Sequence, residues 1–167
     1  MPDEVDGLLA AWRRERPELD VAPLAVLSRV SRLARHLDRA RRAAFAEHGL
    51  EVFEFDVLAA LRRAGDPYEL SPGQLLRQTL VGSGTMTNRL DRLERRGLVR
   101  RHPDPDDGRG IRVRLTARGR ALVDAAVADL LARENASLAV LPDRDRDRLA
   151  RLLRVVLLHF EGSADAR

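Results

Sequence analysis

Residues 70–119 read LSPGQLLRQTLVGSGTMTNRLDRLERRGLVRRHPDPDDGRGIRVRLTARG, and this stretch decides the fold. Ser71-Pro72-Gly73-Gln74 sets an N-cap serine before a proline in the first helical position, so a helix opens here and runs to about Gln78 or Leu80. Gly82-Ser83 makes a turn, Ser83 caps a second helix over residues 84–96, and Gly97 stops it. Two short helices joined by a tight glycine-containing turn are a helix-turn-helix candidate. Residues 98–101 then read as a short strand, and IRVRL at 111–115 alternates apolar and charged residues as a half-exposed strand does. The Pro/Asp/Gly-rich residues 102–110 lie between them, so a β-hairpin directly follows the helix pair.

The second helix of the pair has two chemically distinct sides. On a helical wheel, Leu90, Leu93 and Gly97 fall within about 40° of Met86, which defines the packed side. Asn88, Arg92 and Arg95 fall opposite, with Thr85 beside them. In a major groove, Asn pairs with adenine, Arg with guanine, and Thr meets a thymine methyl or a phosphate. A solvated polar face is the plain alternative for an isolated helix; its place between a turn and an Arg-rich hairpin argues for DNA. Arg109 stands at the hairpin tip, where a single guanidinium suits a narrow minor groove. Asp106 and Asp107 would be repelled by phosphate, so an acid here, Asp107 being the candidate, is expected to pair with an arginine and brace the loop. The candidate DNA contacts are thus Ser83, Thr85, Thr87, Asn88, Arg92, Arg109 and Arg112.

Charge placement agrees. The 167-residue chain has a net charge of +4, and every one of its 30 basic residues is arginine. A GC-rich genome accounts for the choice of Arg, but not for its distribution. Residues 71–120 hold 12 Arg against 5 acids, a net of +7, which leaves −3 for the rest. A basic middle between acidic ends points to a polyanion-binding segment on a scaffold of another kind. The absence of Cys excludes disulfide frameworks, thiolate zinc sites and a Cys nucleophile. The four His residues show no ligand spacing, and no nucleophile–base pair, metal cluster or cofactor loop stands out, so neither an enzyme nor a cofactor is expected. The N-terminus is no signal peptide and no apolar run approaches a membrane span, so a soluble cytoplasmic protein is expected.

Outside the basic module the pattern is helical. Residues 3–15 form a short helix ended by Arg16-Pro17. A long amphipathic helix runs over about 23–48, with Leu24, Leu27, Val30, Leu33, Ala34 and Leu37 in a stripe of the kind that is buried. A third, nearly all apolar, covers about 51–64. After the hairpin, Thr116 caps a helix over 117–138, and a last helix over about 144–160 carries Leu149, Leu152, Leu153, Val156, Leu157 and Phe160 on one stripe. The fold class is therefore mainly α with a small β-hairpin wing.

The 70–119 segment resembles the winged helix-turn-helix core of the MarR (multiple-antibiotic-resistance regulator) family. The match includes the D-x-R…L-T-x-x-G signature at Asp107, Arg109, Leu115, Thr116 and Gly119, and the run RLDRLERRGLV. The flanking helices agree in number and order. The resemblance implies one MarR-like domain over 1–167, with a DNA-binding core at 50–116 and dimerisation helices at 1–48 and 117–167. It also implies a homodimer with two wings straddling double-stranded DNA.

Four residues fit a minimal winged helix poorly. Trp12 is the only Trp, Asp56 interrupts the apolar run VFEFDVLAAL, Arg89 lies about 60° from the packed side of its helix, and Arg101 ends the first wing strand. Each has a plainer reading: a cover for the dimer lobe, a helix-dipole partner, a phosphate contact. Together they resemble the urate-responsive, PecS-type branch of the family, which carries a Trp on an additional N-terminal helix, an Asp in the second common helix and two Arg at these places. That resemblance implies an effector site made by Trp12, Asp56, Arg89 and Arg101, where guanidiniums hold a small planar anion such as urate or a related purine and the Asp accepts from a ring N–H. The expected function is a sequence-specific transcriptional regulator, usually a repressor, released from a palindromic operator by that anion. An architectural DNA binder without effector response is the alternative.

Overall fold

The computed structural model describes residues 1–79, 83–105 and 110–164, with residues 83, 84, 163 and 164 described by backbone alone. Among the described residues, seven helices and three strands follow one another as α1 (Glu4–Glu15), α2 (Ala22–Glu47), α3 (Val52–Arg63), β1 (Glu69–Leu70), α4 (Pro72–Thr79), α5 (Ser83–Arg95), β2 (Val99–Pro103), β3 (Ile111–Leu115), α6 (Ala117–Leu138) and α7 (Asp143–Ala164). No helix among the described residues is long and apolar enough to cross a membrane.

The chain divides into two compact units, Met1–Ala126 and Val127–Arg167. In the first, α3 is the centre. Phe55, Val57, Leu58, Ala59, Ala60 and Leu61 are buried on it, and Phe55 stacks on Phe45 of α2 with ring centroids 4.0 Å apart. Leu75 of α4, Met86, Leu90 and Leu93 of α5, and Val99, Val113 and Leu115 of the sheet are also buried. Met86, Leu90 and Leu93 are the packed side expected from the helical wheel.

The wing has one strand more than the expected hairpin. Its order is β1-β3-β2, all antiparallel, with Leu70 opposite Val113 and Arg101 opposite Val113 from the other side. Two residues are too few to show alternation, so β1 leaves no signal of its own. The expected Ser71 cap is present: Gln74 N–H donates to the Ser71 hydroxyl at 3.2 Å, and Gln74 Oε1 accepts from Ser71 N–H at 2.8 Å, a reciprocal capping box. Helix α5 begins at Ser83 itself, one residue earlier than expected.

The L-T-x-x-G part of the signature has a structural cause. Leu115 is buried. The Thr116 hydroxyl donates toward the Gly97 carbonyl at 2.8 Å and accepts from Gly119 N–H at 3.0 Å, so it caps α6 and ties it to the end of α5. A Cβ on Gly119 would lie 2.1 Å from the Leu98 carbonyl oxygen, so only glycine fits there.

Helix α1 packs Val5 and Leu9 against Val21, with Leu24 and Ala25 alongside. Ion pairs reinforce it: Arg29 reaches Asp3 at 2.8 Å and Asp6 at 2.7 Å, and Arg32 reaches Glu4. The opposite outcome holds for the stripe on α2, where Leu27, Val30, Leu33 and Leu37 are exposed in the single chain rather than buried. In the second unit, Arg146 Nε donates to the Leu138 and Leu141 carbonyls at the turn into α7. Helix α7, longer at its C-terminal end than expected, leaves Leu149, Leu152, Leu153, Val156, Leu157 and Phe160 exposed.

Candidate nucleic-acid interface and effector groove

The outer face of α5 presents Thr85, Thr87, Asn88 and Arg95 to solvent. Arg95 makes no ion pair among the described residues, and the Asn88 side chain makes no hydrogen bond among them. Arg92, which the wheel also turns outward, is engaged instead. Its guanidinium lies 2.5 Å from Glu51 and 3.2 Å from Glu54, at the N-terminus of α3. The Ser83 side chain, Arg109 and Asp107 lie outside the described residues.

Within the described part of the wing, Asp104 is the acid that braces the hairpin; the expected brace, Asp107, lies outside the described residues. Arg112 Nε donates to Asp104 at 2.6 Å, and Asp104 N–H donates to the Gly110 carbonyl at 2.9 Å, closing the described base of the hairpin. Arg112 is thus held along the wing by an ion pair. On the strands themselves, Glu69 accepts from Arg114 at 2.7 Å and sits 3.0 Å from His102 Nε2. The Arg114 hydrogen bond holds the Glu69 carboxyl below the usual carboxylate range; partial burial opposes this and His102 reinforces it.

Sequence reasoning missed Glu54. It is fully buried, accepts from Arg96 at 2.6 Å and from Glu51 N–H at 2.9 Å, and so anchors the end of α5 on the start of α3. Arg96 also donates to the Gly49 carbonyl at 2.9 Å. The available signal was its spacing, an acid three residues into a helix after a glycine stop.

The four candidate effector residues do not meet at one place in the single chain. Asp56 and Arg89 share an open groove of about 590 Å3, whose other walls include Arg42, Leu50, Val52 and Phe53. Asp56 is half-buried, and its carboxylate has no hydrogen bond or ion pair among the described residues. Burial raises its carboxyl above the ordinary range, and the charges of Arg41, Arg63 and Arg89 only partly offset this. The Arg89 guanidinium lies 4.6 Å from the centre of the Phe53 ring.

Arg101 is elsewhere. It donates to Asp91 at 2.5 Å, its backbone N–H donates to Glu94 at 2.9 Å, and it thereby staples β2 to α5. It borders a second, smaller groove of about 310 Å3 with Pro72, Leu76, Met86, Thr87, Leu90 and Ile111. Trp12 is 43% exposed on α1 and borders neither groove.

Comparison with known proteins agrees with this architecture. The MarR family model matches residues 48–110. The transcriptional regulator PecS of Dickeya dadantii is 38% identical over 157 residues, covering 94% of this chain and 95% of PecS. The transcriptional repressor NicR of Pseudomonas putida is 34% identical over 65% of this chain and 70% of NicR. Among solved structures, a mutant MarR of Escherichia coli complexed with operator DNA superposes with a TM-score of 0.68 at 28% identity, over 82% of this chain and 95% of that one. The helix pair, the three-stranded wing and these relatives lead to one conclusion: the chain belongs to the MarR family of winged helix-turn-helix, DNA-binding transcriptional regulators, which are not enzymes.

Proposed function

We propose that the protein binds a pseudo-palindromic operator as a homodimer and is released from it by a small planar anion of the urate type. The observation that carries the effector reading is Asp56, a half-buried carboxylate with no donor among the described residues, in a groove it shares with Arg89 of the DNA-reading helix. A half-buried carboxylate facing a groove, with no protein donor among the described residues, is open to a ligand that brings an N–H to it and an anionic edge to the guanidinium. Arg89 is the neighbour of Asn88, so what happens in the groove happens beside the reading face. Trp12 and Arg101 stand apart from this groove in the single chain, and the reading rests on Asp56 and Arg89.

The dimer is supported by exposed apolar side chains. Leu152, Leu153, Val156, Leu157 and Phe160 of α7, and Leu27, Val30, Leu33 and Leu37 of α2, are exposed at helical spacing, and clustered exposed apolar side chains mark interaction surfaces. A two-fold dimer reads two half-sites about 10 bp apart.

The test is a titration of the operator complex with urate, xanthine and a non-purine anion, with random duplex as the control. Release by the purines alone supports the reading. Equal binding to operator and random duplex would favour an architectural DNA binder, and no release at millimolar concentration removes the effector.

A further inference from the structure

One aromatic ring, Phe53, stands where the groove wall meets the reading helix. It lines the groove with Asp56 and Arg89. Two guanidiniums of α5 lie over the same ring, Arg89 at 4.6 Å from its centre and Arg92 at 5.5 Å. The ring is half-buried, so part of it is available to a molecule in the groove.

A guanidinium is drawn to the face of a benzene ring by the ring's quadrupole, and a flat heteroaromatic ring stacks on that same face through dispersion. They therefore compete for it. We propose that Phe53 is the residue that reads the planarity of the effector and passes its arrival to α5: the flat ring stacks on Phe53 in place of the Arg89 guanidinium, which turns to the anionic edge. This inference rests on the effector reading above. It adds a specificity that Asp56 and Arg89 cannot supply, because a carboxylate and a guanidinium recognise hydrogen bonding and charge, not flatness. The ligand class it assigns is a planar, aromatic, N–H-bearing anion. A flexible aliphatic carboxylate or a tetrahedral phosphate gives the ring nothing to stack on. It also supplies a link to the reading helix, since the displaced guanidinium belongs to α5 and Arg89 is the direct neighbour of Asn88.

The experiment uses the full-length protein, urate and succinate, with affinity read by calorimetry and operator release by fluorescence anisotropy of labelled DNA. Phe53→Leu removes the ring and keeps an apolar side chain; Phe53→Tyr keeps the ring. Expected are a urate affinity lowered about tenfold in Phe53→Leu, the loss of one stacking contact, a parallel rise in the urate needed for half-release, and recovery of both in Phe53→Tyr. Succinate is expected to bind wild type and Phe53→Leu equally weakly. If Phe53→Leu does not fold, Phe53→Met takes its place. If wild type binds urate, Asp56→Asn abolishes binding, and Phe53→Leu titrates like wild type, the role of Phe53 is overturned while the effector reading stands. If wild type binds no urate, both fall together.

Discussion

The guanidinium of Arg96 donates to the fully buried carboxylate of Glu54 at 2.6 Å, across the junction of α5 and α3. This pair, with Arg92 beside it, fixes the C-terminal half of the reading helix on the core. Removing one partner leaves the other without its charge complement in a poorly solvated place. Glu54→Ala is therefore expected to lower the unfolding free energy by about 3 kcal/mol, near the low end for a broken buried pair because Arg96 keeps some solvent contact. Urea denaturation checks this, and Glu54→Gln should recover part of the loss.

Gly119 sets a different constraint. Its missing Cβ is replaced by the Leu98 carbonyl oxygen, 2.1 Å from where that carbon would stand. The atom that would have to yield is backbone, in the segment that Thr116 also ties down. Gly119→Ala is expected to cost about 2 kcal/mol or more in denaturant unfolding, as overpacking against a rigid neighbour does. A change within a few tenths of a kcal/mol would mean that α6 shifts freely at its first turn.

Two carboxyls give the pH dependence opposite signs. Glu69 is held below its ordinary range, chiefly by the Arg114 hydrogen bond. Its stabilising contribution is present above the ordinary carboxylate range, near pH 4, and is lost as pH falls. Glu69→Gln should flatten the acid side of a stability–pH curve. Asp56 is raised by burial, so its folded form holds a proton that the unfolded chain has released. Stability is lost as pH rises through that window and stays lost above it. Asp56→Asn is expected to raise Tm at neutral pH, to leave it unchanged below about pH 3.5, and to abolish the urate response. A Tm that falls at neutral pH would show that Asp56 has a structural partner.

How far the sequence could be read follows from what each element depends on. Helix α4, helix α5 and the wing strands β2 and β3 are local: Ser71-Pro72, Gly97 and the IRVRL alternation mark them within a few residues. Strand β1 is two residues long and exists only because β3 is there to pair with. The side-chain partners were less legible for the same reason. A helical wheel gives the direction of Arg92 but not that Glu51 and Glu54, some 40 residues earlier, stand in front of it. Arg101 finds Asp91 and Glu94 on its own hairpin neighbour α5 before it can reach Asp56. At the described base of the wing loop, Arg112 pairs with Asp104, eight residues away across the hairpin. Asp56 was legible because a carboxylate within an apolar helical run has few ways to be satisfied, and the fold supplies none among the described residues.

The last expectation concerns Arg92 and Glu51, the exposed one of the two acids that hold it. Glu51 lies 2.5 Å from Arg92, both are about half-exposed, and the pair sits at the edge of the reading face. An exposed ion pair of this kind contributes little to stability, about 0–1 kcal/mol, but its acid competes with DNA phosphate for the arginine. Glu51→Gln should therefore leave Tm nearly unchanged and tighten DNA binding. If Arg92 is then free to neutralise a phosphate, the plot of log affinity against log salt should steepen by about one unit per half-site. Removing a negative charge near DNA would by itself tighten binding, so the comparison must be made again in Arg92→Ala. Should the gain vanish in that background, Glu51 acts through Arg92, and Arg92 is a DNA contact kept in reserve by α3. Should the same gain persist, Arg92 is a structural residue of the α3–α5 junction, and the base-reading role passes to Asn88 and Arg95. Gel-shift titrations of the four proteins across a salt series decide between the two.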